Sequence, residues 1–217
     1  MAVGVGADAG LPPYARPMFR DIDRVLIDRE RIASRVHDMA ADLADDLVRD
    51  MGPAGPDGEP GQVVFIPILT GAIVFVADLI RHLPFKLRLE LVAISSYPGR
   101  SMTSRGAAMR SALPDNLGGR HVVIVDDILD SGRTLALITS LVREQSPASV
   151  RTCVLLDKRV PRSEAIVPDY AGFEIPDEFV VGYGLDYDGY YRNHPDIAVL
   201  RPDAISPEGA DGAGGGA

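Results

Sequence analysis

Three carboxylates, two hydroxyls and a glycine are packed into nine residues of this chain. Asp126, Asp127, Asp130, Ser131, Gly132 and Thr134, with Arg133 between the last two, follow directly on the apolar run Val122-Val123-Ile124-Val125. Backbone N–H groups from Ser131 to Thr134 can converge on one anion, as helix N-termini do for phosphate. Gly132 permits close approach of a ligand to the backbone, and the Ser131 and Thr134 hydroxyls add donors. Three acids beside a phosphate repel it unless they bind sugar hydroxyls, a metal ion or a proton. The G-x-x-x-x-G-K-[ST] pattern is missing, so this is not a P-loop. A strand–turn–helix junction capped by Asp and Ser would account for D-S-G-x-T alone. It does not account for the whole string from Val122 to Thr134.

Such a string needs a strand before it and a helix after it. Val122–Val125 reads as a buried strand, and Leu135, Ile138, Leu141 and Val142 mark one face of a helix. Upstream, Val25–Ile27 is a short strand candidate. Ile32, Val36, Met39, Leu43 and Leu47 recur at helical spacing, and the Gly/Pro stretch from Gly52 to Gly61 ends that helix. Val63–Leu69 is a continuous apolar run, which predicts a strand buried on both faces. Thr70-Gly71 turns the chain into a helix over Ala72–Leu83, closed by Pro84, and Leu87–Ile94 predicts another strand. Pro98–Leu117 has no clear periodicity and fits a functional lid. Val150–Leu156 is a further strand, with later candidates at Phe179–Val181 and Ile197–Leu200. Strands alternating with helices predict an α/β fold with a parallel core sheet. Ligands in such sheets sit beyond the carboxyl ends of the strands. The residues after Leu69, Val125, Leu156 and Val181 are therefore the ones to read for chemistry.

Composition fits one globular domain. Of 217 residues, 46% are hydrophobic and 24% charged, ordinary values for a folded chain. Residues 20–206 are read as the domain, 1–19 as a flexible tail and 207–217 as a flexible Gly/Ala tail. Gly4-Val5-Gly6-Ala7-Asp8-Ala9 fits a dinucleotide pattern but has no strand before it. The net charge of −9 disfavours nucleic acid as a partner, and no apolar run is long enough for a membrane span. The N-terminus lacks the pattern of a secretory signal. The single cysteine, Cys153, excludes an internal disulfide and reads as a small core residue in an intracellular, cytoplasmic protein. His37, His82, His121 and His194 show no metal-ligand spacing.

The string Val122–Thr134 resembles the 5-phosphoribosyl-1-pyrophosphate signature of the type I phosphoribosyltransferases. Leu155-Leu156-Asp157-Lys158-Arg159, Pro161-Arg162, and the segment from Gly172 to Tyr187 followed by Tyr191 and Arg192 resemble the purine-site region of the hypoxanthine-guanine members. The resemblance runs from about Val63 to Leu200 in order and spacing. It implies a parallel sheet flanked by helices, with a small hood built from the chain ends. It also implies an enzyme that replaces pyrophosphate at C1 of phosphoribosyl pyrophosphate by N9 of a 6-oxopurine, with Mg²⁺ as cofactor. Family members are usually dimers or tetramers, so a homo-oligomer is expected.

The resemblance also implies roles for single residues. Asp126 and Asp127 match the acidic pair that faces the ribose hydroxyls and the metal shell, although many members have Glu at the first position. Asp130 matches the general base that takes the purine N7 proton. Ser131, Gly132, Arg133 and Thr134 complete the phosphoribosyl loop. Lys158 matches the lysine that reaches the purine O6. An ammonium only donates, so it favours a 6-oxo group over the 6-amino group of adenine. Phe179 matches the aromatic that stacks on the base, and Val180 supplies backbone hydrogen bonds at its edge. Asp186 matches a position near a second metal ion and the base pocket, and Arg192 the arginine that binds pyrophosphate. Leu69, Thr70 and Gly71 fall on the pyrophosphate loop. Thr70 stands where some members have Lys, and Ala72 where some have Gly, so anion binding here should rest on backbone N–H groups. Family members often carry a cis peptide in this loop, which would fall at Leu69-Thr70. Ser96 and Tyr97 match the start of the mobile lid that excludes water, and Arg100 and Arg105 lie within it.

Two further readings remain at this level. Xanthine, or hypoxanthine alone, could be the preferred base. A regulator could keep the fold and bind nucleotide or RNA as a signal. The presence of Asp130, Lys158 and Arg192 favours catalysis, and a salt-sensitive RNA complex would favour the regulator.

Overall fold

The computed structural model describes residues 20–52, 62–95, 108–109 and 113–205. The readings of 1–19 and 207–217 as tails, and of Ser96, Tyr97, Arg100 and Arg105 as lid residues, fall outside these. In chain order the elements are β1 (Ile22–Ile27), α1 (Arg29–Met51), β2 (Val63–Leu69), α2 (Ile73–Ile80), β3 (Arg88–Leu89), β4 (Val92–Ser95) and β5 (Ala108–Met109). There follow β6 (His121–Leu129), α3 (Arg133–Arg143), β7 (Ser149–Lys158), β8 (Tyr170–Ile175), β9 (Val180–Val181) and β10 (Ile197–Leu200).

The core sheet has the order β5-β4-β2-β6-β7-β8, with β3 also paired to β2. All its pairings are parallel except β4 with β5. Side chains alternate across it. Val63, Phe65, Val123, Val125, Cys153 and Leu155 pack with Val36, Leu43 and Leu47 of α1 and Phe75 and Leu79 of α2. Val64, Ile66, Ile68, Val122, Ile124 and Val154 pack with Leu135, Ile138 and Val142 of α3. Covering both faces is what allows the central strands to be apolar without interruption. Helix α1 is entered through Asp28, whose carboxylate accepts from the Arg31 N–H at 2.8 Å. It ends at Gly52, whose φ of +65° glycine adopts without strain and whose N–H donates to the Arg49 carbonyl.

Several elements differ from the expectation. The strand predicted over Leu87–Ile94 is two short strands, β3 and β4. The Glu90 N–H still bonds to the Phe65 carbonyl at 2.9 Å. Pro67, next along that edge of β2, has no N–H to continue the ladder, and β4 resumes beside Ile68 and Leu69. Helix α2 is shorter than predicted and closes through 3₁₀-type bonds from His82 and Leu83. Strands β6 and β7 run further than their apolar runs. Asp126 pairs with Val154 and Leu129 with Asp157, because a backbone ladder continues whatever the side chains are. Strand β8 had no clear apolar signal. It is the sheet edge, and the Arg35 guanidinium covers it by donating to the Ala171 and Gly172 carbonyls. The stretch read as irregular holds β5, whose Ala108 and Met109 pair antiparallel with Ser95 and Ile94.

A second, antiparallel sheet of order β1-β10-β9 stands apart from the first. It joins the two ends of the described chain, as the expected hood does. Tyr183 ties it to α2 by donating to Asp78 at 2.6 Å. Glycine at 184 has φ +105°, and a Cβ there would lie 2.3 Å from the Gly71 carbonyl oxygen. Hood and sheet therefore touch backbone to backbone at the carboxyl end of β2.

Candidate active site

The carboxyl ends of β2, β6 and β7 and one edge of the hood meet around the residues singled out from the sequence. Asp126 and Asp127 lie within β6, which runs on to Leu129. Asp126 is buried, and its carboxylate accepts from the Asp127 N–H at 3.0 Å. Burial and the adjacent Asp127 charge push its proton affinity well above the usual carboxylate range. Asp127 is also raised, chiefly by burial. The Ile128 N–H that it accepts and the Arg192 charge oppose that rise. Its side chain fills the space over Gly71, where an added Cβ would lie 1.8 Å from Oδ2.

Beyond Leu129 the chain turns through Asp130 and Ser131 into α3. Gly132 is the N-cap residue, with φ +79° and no side chain to cap the helix. Ala136 makes the first helical bond, to the Gly132 carbonyl at 2.9 Å. The Arg133 N–H donates to the Ser131 hydroxyl at 3.5 Å, and the N–H groups at the start of a helix, which have no partner within it, suit an anion. Neighbouring chain presses on this turn from behind, since a Cβ on Gly132 would meet Ile166 at 2.9 Å. Ser163 accepts from the Arg133 Nε and donates to the Ser131 carbonyl, at 3.0 and 3.1 Å.

Lys158, the last residue of β7, points to the same place. Its ammonium lies 2.7 Å from the Asp177 carboxylate and 3.9 Å from that of Asp130. The lysine side chain is 13% exposed, whereas those of Asp130 and Asp177 are open at 58% and 69%. Phe179 is 46% exposed, far from a core phenylalanine, and meets Tyr187 edge-on with centroids 5.5 Å apart. Val180 is buried behind it in β9. The segment after β8 thus carries both the carboxylate that pairs with Lys158 and an exposed aromatic ring.

At β2 the Leu69–Thr70 peptide bond is cis. The exposed Thr70 and the half-buried Gly71 lead into α2, whose N-cap residue, Ala72, gives no side-chain cap. Arg192 reaches this side from the hood. It pairs with Asp186 at 2.6 Å and donates to the Gly184 carbonyl at 2.7 Å. Asp186 also accepts from the Gly189 N–H at 2.8 Å.

The structure thus brings together Asp126, Asp127, Asp130–Thr134, Lys158, Leu69–Gly71 and the Asp186–Arg192 pair. It does not bring Asp126, Asp127 and Asp186 into one metal cage: no group of three acidic or metal-ligating side chains forms among the described residues. Sequence reasoning missed Asp177, the direct partner of Lys158, and the part played by the Pro161–Ile166 segment. Asp177 lies in a quoted motif but carries no signal of its own pairing. Burial separates the histidines: His121 and His194 are buried, and none joins the site. Cys153 is fully buried, which pushes its thiol up to about 12, in keeping with a core role.

Comparisons with known proteins agree with this arrangement. The phosphoribosyl transferase domain family matches residues 30–188. The hypoxanthine-guanine phosphoribosyltransferase of Bacillus subtilis is 38% identical over 185 residues, covering 85% of this chain and 97% of the relative. The hypoxanthine-guanine-xanthine phosphoribosyltransferase of Tritrichomonas foetus is 36% identical over 186 residues, covering 85% and 95%. The crystal structure of a hypoxanthine phosphoribosyltransferase from Staphylococcus aureus superposes with a TM-score of 0.77 at 35% identity, covering 88% of this chain and 97% of that one.

Proposed function

Because the chain belongs to the phosphoribosyl transferase family, we propose that it is a purine-salvage transferase. It moves the 5-phosphoribosyl group from 5-phosphoribosyl-1-pyrophosphate to N9 of hypoxanthine or guanine, giving the nucleoside 5′-monophosphate and pyrophosphate. One observation carries this reading. A carboxylate and an ammonium, Asp130 and Lys158, stand 3.9 Å apart at neighbouring strand ends, beside a helix N-terminus without a side-chain cap.

In this reading the first turn of α3, with Ser131 and Thr134, holds the 5′-phosphate. Asp126 and Asp127 face the ribose hydroxyls. Lys158 donates to the purine O6, leaving Asp177 to do so, and Phe179 stacks on the ring. Asp130 accepts the N7 proton as N9 bonds to C1 of the sugar. Charge at C1 develops as in other glycosyl transfers, and the two acids on β6 lie on that side. Arg192 and the N–H groups after Leu69 take the departing pyrophosphate.

The donor set fits Mg²⁺. Two adjacent carboxylates at the strand end suit a hard cation that completes its shell with water and substrate oxygens. Asp126 and Asp127 would hold one ion and Asp186 another. A bound ion would neutralise the leaving pyrophosphate.

Residues 20–206 are read as the catalytic domain of a cytoplasmic homodimer or homotetramer. No helix among the described residues is long and apolar enough to cross a membrane. The test is a base panel with Mg²⁺ and phosphoribosyl pyrophosphate. Turnover of hypoxanthine or guanine but not adenine is expected. Nucleotide binding with no turnover of any base would overturn the enzyme and leave a binding protein on the same fold.

A further inference from the structure

We propose that Arg162 is a positioning residue, a brace that sets the distance between the purine end and the phosphoribosyl end of the site. This inference rests on the function proposed above.

The guanidinium of Arg162 is largely buried, with its side chain 19% exposed. It makes four contacts on three stretches of chain. Nε donates to the Asp130 carbonyl at 3.3 Å. Nη2 donates to the Lys158 carbonyl at 3.1 Å and to the Asp157 carboxylate. Nη1 donates to the Ile166 carbonyl at 3.3 Å. The backbone of the proposed base and the backbone of the proposed O6 donor are thus held by one planar group. Arginine suits this task because its donors are fixed in a fork, and a lysine ammonium cannot span the same acceptors. Asp157 holds the guanidinium in turn. The neighbouring Ser163 continues the brace onto Ser131 and Arg133.

The brace touches no substrate atom in this reading. Each half of the site keeps its own contacts without it: the α3 cradle for phosphate, and Lys158 with Phe179 for the base. What the brace sets is the placement of N9 against C1 and of N7 against Asp130. Errors of that kind fall on the chemical step, because reaction demands tighter alignment than binding does.

Steady-state kinetics of Arg162→Gln and Arg162→Lys test it. The expected result is a kcat lowered about 10- to 100-fold in Arg162→Gln, with both KM values within about threefold of the parent. Arg162→Lys is expected to fall between them. It carries the test if the glutamine variant does not fold. An unchanged kcat overturns the proposal, whether a KM rises or only the melting temperature falls. Hydrogen exchange gives a readout independent of turnover: amides of 129–134 and 157–160 should both exchange faster in the variant. Faster exchange in only one stretch overturns the brace. A parent chain that turns over no base overturns the functional reading instead, and exchange alone then judges Arg162.

Discussion

Two loops of this molecule are assigned similar work in the proposed function, and they are built by different means. Both follow a central parallel strand and open a helix: Asp130–Gly132 joins β6 to α3, and Thr70–Ala72 joins β2 to α2. Neither helix has a side-chain cap. The first loop is rich in side-chain chemistry, with a carboxylate, hydroxyls and the Lys158 ammonium beside it, and is backed by Ser163 and Arg162. The second has only Thr70 and bare backbone. It is wedged between the Asp127 carboxylate below and Gly184 of the hood above. On the proposed function, one anion site is thus built from side chains and the other from close-packed main chain, whose shape depends on its neighbours.

The largest expected effect breaks the first loop chemically. Asp130→Asn removes the proposed proton acceptor while keeping its size. It should lower kcat by about 10²–10⁴-fold in steady-state assays. Gly71→Ala attacks the second loop sterically. Its Cβ must displace the Asp127 carboxylate, so turnover should fall by about 10²-fold, with weaker pyrophosphate inhibition. A mild effect would show that the main-chain loop tolerates more than its packing implies. Lys158→Gln leaves a donor without charge. The KM for hypoxanthine should rise about tenfold, and discrimination against adenine should narrow.

Smaller effects sharpen the contrast. Thr70→Lys gives the second loop a side-chain cation. Pyrophosphate should then inhibit a few-fold more strongly, and less so as salt is raised. Unchanged inhibition would mean that Arg192 already supplies the charge that loop can use. His121, at the far end of β6, is a control outside both loops. Burial holds its imidazole below the ordinary value, although Asp50 opposes the shift. Below about pH 6.5 the unfolded chain takes up a proton that the folded chain resists. Stability should therefore fall as the pH drops through that value toward the depressed one. The melting temperature should drop by about 2–4 °C per kcal/mol. His121→Asn should flatten the curve from pH 8 to 5.

Much of the site was readable because its signals are local. A run of four apolar residues ending in two acids marks a buried strand delivering carboxylates to its carboxyl end. Gly132 before an amphipathic run marks the helix that follows. The turn at Thr70-Gly71 was readable for the same reason, as the end of a strand, whereas its reading as a pyrophosphate loop came from the family resemblance. The strand at Tyr170–Ile175 was not, because an edge strand covered by Arg35 needs no continuous apolar face. The break between β3 and β4 was hidden too. It reflects Pro67 on the neighbouring strand, a cause lying outside the segment it interrupts.

Sequence alone determined the residue types at each strand end and the alternation that makes this an α/β sheet, because covalent spacing and side-chain period are properties of the chain. Only the tertiary structure decided that Lys158 meets Asp177 before any ligand, that Asp127 closes over Gly71, and that Arg162 spans Asp130 and Lys158. Those contacts join residues far apart along the chain. Their geometry is set by parallel pairing of β6 with β7 and by the hood folding back onto β2, which no local pattern encodes.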